Sequence, residues 1–147
     1  NNQAKFLFGT MEFVTKLVEG KFPDYNRVIP KNHKRGILLG RQPLLASLQR
    51  TAILTSDKFK GVRLNIDPGT LKIASTNAEQ EEAVDELDID YNDDSIEIGF
   101  NVTYLIDVLT NMEQDMVRVE LADSNSSALI TIPDDANFKY VVMPMRI

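Results

Sequence analysis

The feature that most constrains this chain is a repeat in its longer, second part. Ile37-Leu38-Leu39-Gly40 recurs as Ile96-Glu97-Ile98-Gly99. Each copy is followed by apolar residues at helical spacing, Leu44, Leu45, Leu48 and Ala52 in the first and Leu105, Val108, Leu109 and Met112 in the second. Apolar positions three and four apart share one stripe of a helix, so each copy holds one amphipathic helix. A strand pattern follows in each (62–66 and 117–121), then a turn, then a second strand pattern (71–74 and 128–132). Closing strands are predicted at 82–91, where Leu87, Ile89 and Tyr91 alternate with Asp88 and Asp90, and at 139–143. The unit is strand, helix, strand, strand, strand, and two copies predict an α+β domain. Each helix has one stripe to bury, so both are expected on one face of the sheets, with the other face left to solvent or a partner.

Ahead of the repeat, residues 4–8 and 11–18 are rich in β-formers and separated by Gly9-Thr10, which predicts a hairpin. Residues 19–33 carry Gly20, Pro23 and Pro30 among turn formers and read as a linker, with a boundary near Val28. A chain of 147 residues has room for one core of ordinary size and part of a second. It starts at Asn1-Asn2-Gln3, with neither a signal-peptide pattern nor a methionine, so it is expected to begin inside a longer protein. No stretch approaches the roughly 20 apolar residues of a membrane helix.

Several chemistries are excluded or weakened by residue type. Without cysteine there is no disulfide, thiolate nucleophile or cysteine zinc site, and the composition suits a reducing compartment. The only histidine, His33, sits beside Lys31, Lys34 and Arg35 with no triad pattern or second ligand, and reads as a loop residue. Every glycine stands singly, so no phosphate-binding pattern is present.

Charge is divided along the chain. Residues 1–63 hold 12 Lys and Arg against 4 Asp and Glu, a net +8, whereas 64–147 hold 4 against 18, a net −14. The densest acidic run, 79–94, has nine carboxylates and no basic residue, a surface suited to a basic partner. A divalent-metal hydrolase built on that run is an alternative, since hard cations take carboxylate oxygens, but it lacks the glycine and spacing of a calcium loop. Catalytic residues, metal and cofactor are therefore expected to be absent.

Two segments look like binding sites. Tyr140-Val141-Val142-Met143-Pro144-Met145-Arg146-Ile147 passes from a strand pattern into a proline and a basic, apolar tail whose methionines suit an adaptable apolar groove. Phe22-Pro23-Asp24-Tyr25-Asn26-Arg27-Val28 places an aromatic, a proline and an arginine in the linker.

These two segments, together with Lys60-Gly61-Val62-Arg63-Leu64, Asn77-Ala78-Glu79-Gln80-Glu81-Glu82-Ala83 and Glu97-Ile98-Gly99-Phe100-Asn101-Val102-Thr103-Tyr104, closely resemble the C-terminal part of the bacterial DNA polymerase III beta sliding clamp family. The resemblance covers essentially the whole chain. It implies the clamp (processivity) fold, in which three similar domains per subunit form a head-to-tail homodimeric ring around duplex DNA, helices lining the hole and sheets outside. It implies that residues 1–28 are the end of the middle domain plus linker, and 29–147 the complete third domain. It implies a non-catalytic, cytoplasmic, nucleoid-associated processivity factor. Its clients would be DNA polymerase subunits, the clamp loader and repair proteins, held through short motifs of the Gln-Leu-x-Leu-Phe kind.

Carried over position by position, the third-domain side of that peptide groove is Pro23, Arg27, Val28, Asn101, Tyr104, Ser127, Val141, Met143, Pro144, Met145 and Arg146. The dimer face is Ile53, Leu54, Glu79, Gln80, Glu81 and Glu82, facing a basic first domain of the neighbouring subunit. From charge and placement on the basic helix, rather than from a matched motif, Arg41 and Arg50 are expected to face the DNA hole. Asn26 stands where the family often has a second basic residue, and Asn125 where an apolar one is expected. A purely structural dimerisation module, with no peptide groove, is the remaining alternative.

Overall fold

The computed structural model describes residues 2–31, 33, 35–55 and 59–147. Asn32 and Lys34, within the predicted linker and the basic stretch around His33, lie outside the described residues.

The hairpin is present as β1 (Gln3–Phe8) and β2 (Met11–Lys16), paired antiparallel, with Gly9 at φ 57° in the turn, a left-handed conformation glycine adopts without cost. The linker contains a four-residue helix, α1 (Tyr25–Val28). Asp24 caps it, its side chain accepting from Asn26 N. An element this short follows from a local cap and has no apolar periodicity, so the turn-like composition hid it.

The repeat then appears as predicted. The first copy is β3 (Arg35–Gly40), α2 (Arg41–Ala52), β4 (Gly61–Asp67), β5 (Thr70–Thr76) and β6 (Glu82–Asp88). The second is β7 (Ile96–Asn101), α3 (Val102–Thr110), β8 (Met116–Leu121), β9 (Ala128–Ile132) and β10 (Asp135–Val142). Strand β6 stops three residues short of Tyr91, although Ile89 and Tyr91 remain buried. Strand β10 starts four residues before Lys139, across a register shift between Asp135 and Lys139. The helix caps, Gly40 and Asn101, set the two copies two residues away from the alignment of the glycines. A two-residue shift leaves every strand side chain on its original face, so the core pattern is unaffected.

The sheets do not coincide with the copies. One is ordered β6-β5-β4-β7 and the other β10-β9-β8-β3, all neighbours antiparallel. Each copy thus lends its first strand to the other copy's sheet. Between them lies one core, with Leu44, Leu45 and Leu48 of α2, Leu105, Val108 and Leu109 of α3, and the inward residues of both sheets. Leu48 is fully buried in this core, and the two helices pack against each other. Pro43 is tolerated in α2 because it sits in the first turn, where backbone N–H groups have no helical partner.

Candidate functional site

The end of β10, the start of α3 and the β8–β9 loop converge on one surface. Asn101 caps α3, its Oδ1 accepting from Thr103 N at 2.9 Å, and this fixes the first turn that carries Tyr104. Tyr104 is 53% exposed, and its carbonyl accepts a 3.3 Å bond from the Tyr140 hydroxyl. Val141 is half-buried in β10 opposite Leu129. Beyond the strand, Met143 is 66% exposed, and its Sδ accepts from Ser127 Oγ at 2.9 Å. Pro144 and Met145 are half-buried and Arg146 is exposed. Eight of the eleven predicted groove residues are thereby on one contiguous set of elements: Asn101, Tyr104, Ser127, Val141, Met143, Pro144, Met145 and Arg146.

The loop that presents Ser127 is held from two sides. Asp123 Oδ1 accepts from Asn125 N and Ser126 N, both at 2.8 Å. These bonds, first that from Asn125, keep the Asp123 carboxyl below its ordinary pKa. Asn125, expected in the groove wall as an apolar position, is an exposed member of this turn. From beneath, His33 Nε2 donates to the Ser127 carbonyl at 3.0 Å, with its side chain only 2% exposed. Its Nδ1 has no hydrogen-bond partner among the described residues and lies 3.7 Å from Glu120 Oε2. The histidine read as a loop residue is therefore a buried prop. No periodic signal could have disclosed this, because its partner is 94 residues away.

Pro23, Arg27 and Val28 form a separate exposed recess of about 480 Å³ with Lys21, Phe22 and Asp24. Arg27 is paired with Asp24 at 3.7 Å, and Asn26 Nδ2 donates to the same carboxylate. Hydrogen bonds and ion pairs among the described residues do not join this recess to the Met143 group.

The residues assigned to the dimer face cluster at one corner. Glu79 and Gln80 lie in the β5–β6 turn, where Asn77 Oδ1 accepts from Glu79 N and Glu81 N. All four of 79–82 are exposed. Ile53, just past α2, is 79% exposed, whereas Leu54 is half-buried. Among the described residues strand β6 pairs only with β5, which leaves its other backbone edge open, and Val84 is 46% exposed along it.

Arg41 and Arg50 stand at opposite ends of α2, each already engaged. Arg41 donates to the carbonyls of Gln114 and Leu109, at 2.7 and 3.0 Å, and so satisfies the C-terminal end of α3. Arg50 holds Asp85 through Nε at 2.9 Å and Nη2 at 2.5 Å. Asp85 is the one carboxylate of the acidic strand on its inward face. The Arg50 hydrogen bond holds its pKa below the ordinary value against the opposing effect of partial burial. Among the described residues no three His, Asp or Glu side chains are grouped to hold a metal ion, and no helix is long and apolar enough to cross a membrane.

What sequence reasoning missed is the path of the last residues. Met145 N donates to Gly99 O at 2.8 Å, and Arg63 Nη2 donates to Ile147 O at 3.2 Å. A glycine inside a strand pattern is a known signal of close approach by another backbone, and Gly99 carried that signal.

Comparison with known proteins gives a consistent result. The model of the family described as DNA polymerase III beta subunit, C-terminal domain, matches residues 26–146. The beta sliding clamp of Pseudomonas putida is 50% identical over 139 residues, which is 95% of this chain and 38% of that protein. The beta sliding clamp of Escherichia coli K12 is 44% identical over 147 residues, all of this chain and 40% of that protein. A crystal structure of the DNA polymerase sliding clamp from Pseudomonas aeruginosa with ligand superposes with a TM-score of 0.88 at 46% identity, covering 99% of this chain and 40% of that one. A sliding clamp from the same organism, bound to griselimycin, gives 0.86 at 46% identity, again over 99% of this chain and 40% of that one. The chain spans about two-fifths of the length of these relatives.

Proposed function

The chain belongs to the DNA polymerase III beta subunit family, and from that premise we propose that it is part of a sliding clamp, a non-catalytic processivity factor of the bacterial cytoplasm. The observation that carries this reading is the surface where exposed Met143 stands over Ser127 beside Tyr104 and the half-buried Val141. An apolar floor with polar groups at its rim suits a short peptide whose leucine and phenylalanine side chains each gain about 1.5 to 3 kcal/mol on full burial. A motif of the Gln-Leu-x-Leu-Phe kind fits, and DNA polymerase subunits, the clamp loader and repair proteins are the clients. Pro23, Arg27 and Val28 supply the second part of the groove.

Residues 1–28 are assigned to the end of the preceding clamp domain and 29–147 to the third domain. The hairpin supports this division. Phe6, Phe8, Met11 and Phe13 share one of its faces and are 46–68% exposed, an apolar surface that calls for cover from residues outside this repeat.

The open edge of β6, with Ile53, Leu54 and the carboxylates around Glu79–Glu82, suits a head-to-tail homodimer contact with a basic neighbouring domain, where opposite charges set register and steer encounter. In the closed ring duplex DNA is encircled without sequence readout, so a modest basic lining is sufficient. Arg41 and Arg50 are assigned to that lining, each keeping its intramolecular bonds.

The test is fluorescence anisotropy of a labelled Gln-Leu-x-Leu-Phe peptide titrated with this chain and with Met143→Ala. Saturable binding, weakened about fivefold or more in the variant as the loss of one buried side chain requires, is the expected result. Equal binding by both chains, or none to either, would refute the assignment of this surface.

A further inference from the structure

The last residues of the chain cross the outer face of the β6-β5-β4-β7 sheet. Strand β7 is one of its two edge strands, and the tail reaches the free edge of β7 through the bond from Met145 N to Gly99 O. The side chain of Ile147 then lies over Gly99 and Gly61, which are diagonal neighbours on one sheet face. Arg63, directly opposite Gly99, holds the Ile147 carbonyl at 3.2 Å. Strand alternation would leave Gly99 facing solvent, as it leaves Glu97, yet Gly99 is buried.

Neither glycine is there for backbone freedom. The glycines with positive φ are Gly9, Gly20 and Gly69. Space is the reason. A Cβ on Gly99 would stand 2.5 Å from the Met145 carbonyl oxygen and 2.7 Å from Ile147 Cγ1, and a Cβ on Gly61 would stand 2.7 Å from Ile147 Cγ2. The first collision is with backbone, which cannot turn aside. The second is with a side chain that can.

Resting on the reading of Met143–Arg146 as a client groove, we propose that Gly99, Gly61 and Arg63 are a seat for the C-terminal tail and act as positioning residues for peptide binding. Met145, two residues after the exposed Met143, is tethered through its N–H. The seat therefore fixes the direction in which the chain leaves β10 and holds Met143, Pro144 and Met145 as one wall. With the tail unseated, those three residues sample many conformations, and a peptide must order them on binding at an entropic cost.

The experiment compares the full chain with Gly99→Ala, Gly61→Ala, Ile147→Ala and the double variant Gly61→Ala with Ile147→Ala. The first readout needs no ligand and is amide hydrogen exchange at Met145, whose N–H is bonded only while the tail is seated. The second is anisotropy of the labelled Gln-Leu-x-Leu-Phe peptide. Gly99→Ala is expected to lose Met145 protection while amides of β4 and β8 keep theirs, and to bind peptide about tenfold more weakly, the scale of one lost wall. Gly61→Ala is expected to show a smaller effect. Adding it to Ile147→Ala should cause no further loss, because the clashing atoms are gone.

Wild-type protection at Met145 in Gly99→Ala, or unchanged peptide affinity once protection is lost, would overturn the proposal. If Gly99→Ala does not fold, the Gly61 and Ile147 cycle decides, and additive losses there count against the seat. Loss of Met145 protection in a chain whose wild type binds no peptide would uphold the seat and sink the groove reading.

Discussion

Removing the His33 imidazole tests whether the groove wall depends on a distant prop. His33 Nε2 donates to the Ser127 carbonyl at 3.0 Å from a side chain that is 2% exposed, and Ser127 Oγ in turn donates to Met143 Sδ. In His33→Ala that carbonyl loses its donor. An unsatisfied buried polar group costs about 1 to 3 kcal/mol. Ser127 is half-buried, and the vacated imidazole space can admit a water, so the cost falls near the lower end, about 1 to 2 kcal/mol. With a urea slope of about 2 kcal/mol/M, the middle of the usual range, the unfolding midpoint should fall by roughly 0.5 to 1 M with the slope unchanged. His33→Gln retains a donor and should recover part of the loss. Peptide affinity should fall with His33→Ala, because the loop carrying Ser127 then loses its support from beneath. A midpoint within roughly 0.2 M of wild type would show that the imidazole bond does not hold this loop.

Two further outcomes follow from the packing and the electrostatics. Leu48→Ala, at a fully buried position in the shared core, should cost about 2 to 5 kcal/mol in chemical unfolding; a loss under about 1 kcal/mol would mean that the core repacks freely. Asp85 has a depressed pKa in the folded state, so its stabilising effect is full above the ordinary value of 3.8 and is lost as pH falls through the lowered value. The melting-temperature gap between wild type and Asp85→Asn should accordingly be constant from pH 5 to 8 and narrow only below about pH 4; a gap that is widest in acid would reverse the sign and refute the Arg50 pairing.

Part of the candidate site was legible in the sequence because four of its residues are consecutive. Met143, Pro144, Met145 and Arg146 form a run whose proline stops strand pairing, and the cap at Asn101 places Tyr104 one turn away. The supports were not legible. His33, Gly61, Gly99 and Arg63 act on residues 46 to 94 positions distant, and no local period records such a pairing. Arg50 was read as a charge for a partner, and its engagement by Asp85 appears only when the last turn of α2 is laid against β6.

The sequence by itself determined the unit of the fold. Helical stripes and strand alternation are local consequences of 3.6- and 2-residue periods, and they recur twice. The tertiary structure decided which strands meet. Nothing in Arg35–Gly40 or Ile96–Asn101 states that each will pair with the other copy's sheet. Two near-equivalent units can exchange their first strands at equal local cost, and the choice is made by one shared core that buries both helices at once. The same exchange makes β7 an outer strand with an open edge, and it is on that edge that the tail is seated.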